Sequence, residues 1–191
     1  VKQRLGAQNA LYPLPAVLVG ALVEGRPNFI TVSHLGVLTT GQEEFIGVGL
    51  NKVHFTNAGI RQTGTFSVCI PDEKMVELVD YCGLVSGKNV DKSEMFEVFY
   101  GELGTAPMVA QCPVCMECRL HQVIDFPDHD LFIGEIVETH AEPEVLQEGR
   151  LDLGRIRPLL FDLHGRQYWA LGRPLAAAWK AGLKLMEKEQ G

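Results

Sequence analysis

The chain has 191 residues and 21.1 kDa, the length of one domain around one core, and 46% apolar with 21% charged residues is an ordinary globular mixture that excludes disorder and fibrous architectures. Seventeen Lys and Arg against 24 Asp and Glu leave a formal charge of -7, the wrong sign for general affinity to nucleic acid or an anionic membrane, so an anionic ligand needs local cations. The apolar run Ala16–Val23 is far shorter than the roughly 20 residues of a membrane span, the N-terminus has no secretory apolar core, and five cysteines without an Asn-x-Ser/Thr acceptor suggest a reduced, cytoplasmic protein.

Short β-type runs separated by Gly, Pro and Asn have the spacing of an antiparallel sheet or barrel. Ala16–Leu22 reads as the first strand, Glu24-Gly25-Arg26-Pro27 as a turn, and Asn28–Ser33 as the second strand, with Thr31 and Ser33 alternating onto one face. Glu44–Leu50 is a third. Thr56–Gly64 reads as a short helix that Thr56 caps and Gly64 ends, followed by a strand over Thr65–Ile70. Met75, Leu78, Val79 and Cys82 recur at helical spacing within Asp72–Cys82, with Gly83 as the stop. Further strands are expected at Val114–Val123, Leu131–Thr139 and Tyr168–Leu171. A last helix is expected from Pro174 to Lys188, its stripe of Leu175, Trp179, Gly182, Leu183 and Met186 packing on the barrel or a partner, and Trp169 and Trp179 read as core or interface aromatics. No repeat or composition break divides residues 1–191, so one domain is expected.

Two glycine-rich stretches imitate nucleotide signatures and fail. After Gly47-Val48-Gly49 the sixth position is Lys52 rather than Gly, inside a strand; Gly83 to Asn89 is one residue short of a Walker A loop and follows a helix. The run Cys112-Pro113-Val114-Cys115-Met116-Glu117-Cys118 has metal-like gaps. On one extended strand, however, Cys112 and Cys118 would stand about 20 Å apart at roughly 3.3 Å per residue, against at most about 4.6 Å for two sulfurs on one zinc. These cysteines therefore read as apolar fillers, with no metal.

The segment Leu50-Asn51-Lys52-Val53-His54-Phe55-Thr56 sets a cation, an amide and a hydroxyl between a strand end and a helix start, which suits a phosphate; a solvated loop lysine is the alternative. Ser86, Lys88 and Lys92 follow in a loop opened by Gly83 and Gly87, whose backbone N–H groups can approach an anion.

The order PNFITVSHLGV, GVGLNKVHFTNAGIRQTGTFSVCIP, DYCGLVSGKNVDKSEMF, DHDLFIGEIVE and QYWALG resembles the flavin reductase-like proteins of the FMN-binding split-barrel class, nearest to the flavoredoxin type, over Tyr12 to Leu183. The resemblance implies a mainly β, Greek-key split barrel with peripheral helices, a homodimer, and one FMN per subunit near the interface. It implies Lys52, Thr56, Ser86 and Lys92 around the FMN phosphate, Thr31, Ser33 and Asn51 along the ribityl chain and nearby ring edge, and His34 and Leu50 flanking the ring. No side chain need be catalytic, because the flavin carries the redox chemistry. The family's histidine near flavin and nicotinamide corresponds to His129, but Phe126-Pro127-Asp128-His129 has Pro where related reductases commonly have Gly. That leaves NAD(P)H or a redox protein as electron donor, and a non-enzymatic FMN electron carrier as the rival reading.

Overall fold

The computed structural model describes residues 1–183 and 185. Seven strands form its main sheet: β1 (Val17–Val23), β2 (Arg26–Val32), β3 (Leu35–Val37), β4 (Phe45–Asn51), β5 (Thr65–Ile70), β6 (Val114–Asp125) and β7 (His129–Ala141), all antiparallel in the order β2-β1-β5-β6-β7-β4-β3. Six of the seven expected strands lie within this set, shifted by a residue or two at their ends. The β1–β2 turn is tighter than expected: Val23 pairs with Arg26, and only Glu24 and Gly25 turn, both at positive φ. Pro27 falls inside β2, an edge strand, where its missing N–H faces no neighbour.

The sheet curls into a half-barrel. Five strand spacings of about 4.8 Å would hold β2 and β4 roughly 24 Å apart if it were flat. Yet Val32 of β2 and Ile46, Val48 and Leu50 of β4 share one buried cluster with Val19, Phe66, Val68 and Phe132. On the other face Leu18, Phe29, Cys69 and Cys115 form a second cluster with Val79, Cys82, Phe96 and Met108. β1 is thus covered on both sides, which is why Ala16–Val23 is apolar without alternation.

Helix α1 (Thr56–Thr63) places Ile60 in the barrel core and ends on Gly64, left-handed at φ 68, whose N–H donates to Ile60 O. Thr56 does not cap it: the N-cap is Phe55, and Thr56 is the first helical residue, its hydroxyl accepting from Asn28 Nδ2 at 2.8 Å. Helix α2 (Val76–Leu84) follows a 3-10 turn over Glu73–Met75 that Asp72 caps. It runs through Gly83, the expected stop, because a cation caps it: Lys92 Nζ donates to Cys82 O and Val85 O, each at 3.1 Å.

The expected C-terminal helix is not present where described. Residues 174–182 form turns and irregular chain, with helical geometry only at Leu183 and Leu185; Met186 and Lys188 lie outside the described residues. Leu175, Trp179 and Leu183 are exposed rather than packed, Trp179 at 96%, and Trp169 is also exposed. The expected Tyr168–Leu171 strand is shorter, Gln167–Trp169, in a small sheet with Leu14–Pro15 and Leu160–Asp162. Among the described residues no helix is long and apolar enough to cross a membrane.

Candidate functional site

β2, the chain after α2 and the start of α1 enclose a groove of about 120 Å³ lined by Arg26, Asn28, Phe55, Gly87, Lys88 and Lys92. Gly87 is required there, since a Cβ would collide with Asn28 Oδ1 and break up the Asn28–Thr56 contact. Asp91 also lines the groove, but Ser93 Oγ at 2.6 Å and Ser93 N–H at 3.0 Å occupy its carboxylate and hold its pKa below the usual range. Three cations against one carboxylate make this a local basic pocket on a chain of net charge -7. Lys92 is 2% exposed, and burial pulls its ammonium below the ordinary lysine range.

A second, more apolar cleft of about 440 Å³ lies over β3, β4 and the β6–β7 hairpin, lined by His34, Gly36, Gly49, Phe126, His129 and Leu131 among others. Gly49 donates its N–H to His34 O at 2.7 Å, and a Cβ there would sit 3.3 Å from that oxygen, so Gly47 and Gly49 keep the floor flat and close-packed. The His34 and His129 rings meet edge to face with centroids 6.1 Å apart. Desolvation, then the His129 charge, lower the His34 pKa, which favours the neutral ring.

His54 lies just before α1 and lines neither region. Its pKa is lowered by burial first and then by His129 and Lys92, so it lies within electrostatic reach of both. Its Nδ1 is buried without a partner, as are Asn57 Oδ1 and Asp130 Oδ1. The other Asp130 oxygen binds Arg61 Nη2 at 2.9 Å, and Arg61 lies over the Phe132 ring. Unpartnered atoms of His54 and Asn57 at the start of α1, and of Asp130 on the wall of the cleft, mark positions suited to a polar ligand or water.

The sequence-derived residues separate accordingly. Lys92 lines the groove and Thr56 supports it through Asn28, while His34 and His129 meet at the cleft. Ser86 is exposed beside the groove, its Oγ accepting from Lys88 N–H at 3.3 Å. Thr31 Oγ1 donates to Val79 O in α2, and Ser33 is half-buried one turn of the pleat further on. Asn51 Oδ1 accepts from Val53 N–H and its carbonyl from Asn57 Nδ2, so it braces the entry to α1. Ser86, Thr31, Ser33 and Asn51 line neither the groove nor the cleft, and Lys52 and Leu50 are engaged elsewhere. Lys52 does not join the groove; its Nζ pairs with the exposed Asp125 at 2.6 Å. The Leu50 side chain is wholly buried in the barrel core and does not flank the cleft. Sequence reasoning missed Arg26 and Asn28, which a turn and a strand conceal, and His54, Asn57 and Asp130, whose joint position only the fold creates.

The cysteine run is corrected in part. Cys115 and Cys118 face opposite sides of the sheet, but Cys112 lies in the bend before β6 and meets Cys115 and Cys69 in one buried cluster. No group of three or more His, Cys, Asp or Glu among the described residues has a metal-holding arrangement.

Residues 9–170 match the family described as "Flavin reductase like domain". The chain is 40% identical to flavoredoxin from Methanosarcina acetivorans, with a TM-score of 0.92 over 97% of this chain and 100% of that one. It is 34% identical to flavoredoxin of Desulfovibrio vulgaris (Miyazaki F), with a TM-score of 0.89 over 95% and 100%. An FMN-binding protein from Thermus thermophilus, solved with bound p-hydroxybenzaldehyde, is 27% identical with a TM-score of 0.77 over 93% and 97%.

Proposed function

The chain belongs to the flavin reductase-like family, and from that membership we propose that it binds FMN and acts as a flavin-dependent oxidoreductase, as a homodimer in the cytoplasm. The observation that carries the reading is the presence on one chain of a basic groove and a flat apolar cleft, with His54, just before α1, within electrostatic reach of Lys92 in the first and His129 in the second. A phosphate dianion suits Arg26, Lys88 and Lys92, with Ser86 and Thr56 beside them; a polyol suits Thr31, Ser33 and Asn51; a flat ring suits the glycine-floored cleft between His34 and His129. Lys52 would join the phosphate only by leaving Asp125. When bound, FMN supplies hydride and single-electron transfer.

What the chain supplies is orientation and environment. Cations in the groove fix an anionic end, and a neutral His34 offers a hydrogen-bond partner without adding charge beside His129. The exposed Leu175 and Trp179 are apolar area for a second subunit to cover.

The second reading, an FMN electron carrier without a nicotinamide site, is favoured by Pro127, which stiffens the hairpin leading to His129 and removes a backbone donor there. One measurement separates the readings: the absorption spectrum of the purified protein before and after anaerobic NADH or NADPH. Flavin bands bleached by a nicotinamide support the oxidoreductase. Bands bleached by reduced ferredoxin alone support the carrier, and colourless protein that takes up no added FMN refutes both.

A further inference from the structure

On the face of the sheet away from the barrel core, Cys69 of β5 and Cys115 of β6 stand directly opposite each other. Leu120 N–H donates to Gly64 O at 2.8 Å, so Gly64 and Leu120 are a hydrogen-bonded pair of this ladder. Cys69/Cys115 lies an odd number of residues further along in the same register, and alternation makes it a non-hydrogen-bonded pair. Such pairs have Cα atoms about 4.5 Å apart with side chains leaning together, inside the roughly 4.4–6.8 Å that a disulfide spans. All five cysteines are free and buried, and the thiols of Cys69, Cys112 and Cys115 interact with one another.

Burial usually makes a thiol inert, but this cluster has an entrance. A cavity of about 220 Å³ is lined by Cys112, Cys115, Phe99 and His140. His140 is the register partner of Cys115 on β7, and its Nε2 is 2.9 Å from Oε1 of Glu117. Glu117 is fully buried and also accepts the Glu102 and Leu103 N–H groups at 2.9 and 2.8 Å. These bonds outweigh burial and hold its carboxyl below the usual range, so it is ionised. An ionised Glu117 holds the His140 ring through Nε2, and that ring forms part of the cavity wall. None of these groups belongs to the groove or the cleft.

We propose that Cys115 is an oxidation site for a small neutral peroxide and that Cys69 resolves it into a cross-strand disulfide. Cys115 Sγ attacks one oxygen of hydrogen peroxide, the O–O bond breaks, and a sulfenic acid and one water form. Cys69 Sγ then attacks Cys115 Sγ, the S–O bond breaks, and a second water leaves; both thiol protons end in the two waters, and two electrons pass from the thiols to the peroxide. Cys112 also borders the cavity but lies in the bend before the strand, outside the register that sets Cys69 opposite Cys115, and packs on Met75 Sδ at 3.9 Å, so the cross-strand pairing assigns resolution to Cys69. Cys118 faces the barrel core and Cys82 is buried on α2, and neither lines the cavity, so both stay reduced.

The test treats the purified protein with hydrogen peroxide, quenches it, alkylates it under denaturing conditions and maps the peptides. The alkylatable thiols should fall from five to three per chain and return with dithiothreitol, with the Cys69 and Cys115 peptides linked within one subunit. Cys112→Ser should still form the link. Cys69→Ser should leave Cys115 as a sulfenic acid that dimedone traps. Five reactive thiols after peroxide, a Cys112–Cys115 link or a link between subunits would each overturn the proposal, and the wild-type map decides it even if a variant fails to fold.

Discussion

Replacing Lys92 by Ala tests how the basic groove is built. Lys92 Nζ is the cap of α2, holding Cys82 O and Val85 O at 3.1 Å from a side chain that is 2% exposed. A hydrogen bond to a charged group contributes roughly 1.5–3 kcal/mol net. Two at the lower end of that range, because burying the ammonium already costs part of the gain, give a loss of about 3 kcal/mol. For a domain of this size about 1 kcal/mol moves Tm by roughly 2–4 °C, so Tm should fall by roughly 6–12 °C. The loop carrying Ser86, Gly87 and Lys88 should loosen with it, weakening FMN and riboflavin together. Lys88→Ala is the contrast: an exposed side chain whose loss should leave Tm unchanged, weaken FMN by roughly 10- to 150-fold and leave riboflavin alone, since only FMN carries the phosphate. Differential scanning calorimetry of the apoprotein and calorimetric titration with each ligand measure both. A Lys92→Ala protein with wild-type Tm and a loss confined to FMN would refute the capping argument and make Lys92 a phosphate ligand only.

Gly87→Ala drives a Cβ into Asn28 Oδ1, so it should abolish tight FMN binding while the far-UV circular dichroism stays β-rich; retained affinity in a titration would mean that the groove does not bind the ligand. His34 and His54 both have lowered folded pKa values, so below the unfolded histidine value of about 6.5 the unfolded chain binds protons that the folded chain does not. Stability should therefore decline as pH falls from that value through the folded ones, and a His34→Asn/His54→Asn variant should show a flatter Tm against pH over that window. Light scattering should give twice 21.1 kDa, and truncation after Gly172, which removes Leu175 and Trp179, should weaken the dimer; an unchanged dimer would place the interface elsewhere.

The sequence by itself determined what nearest neighbours along the chain decide. Alternation and apolar runs located the main strands because a pleat or a doubly covered strand dictates them locally, and Gly64 ended α1 because only the left-handed region closes that turn. The flavin reductase-like resemblance was legible for the same reason, since its motifs are contiguous. Tertiary structure decided everything that joins distant residues. Local rules made Gly83 a helix stop, but Lys92 reaches back and caps the last turn instead. Lys52 looked like a phosphate ligand from its neighbours, and a pairing with Asp125 across 73 positions removed it from the groove. The Pro174–Lys188 stripe has helical spacing, yet without a surface beneath Leu175 and Trp179 the described part of that segment folds into turns, because a short amphipathic helix is marginal until its apolar face is buried. Cys69 and Cys115 meet for the converse reason: strand register, invisible along the chain, fixes which side chains face each other.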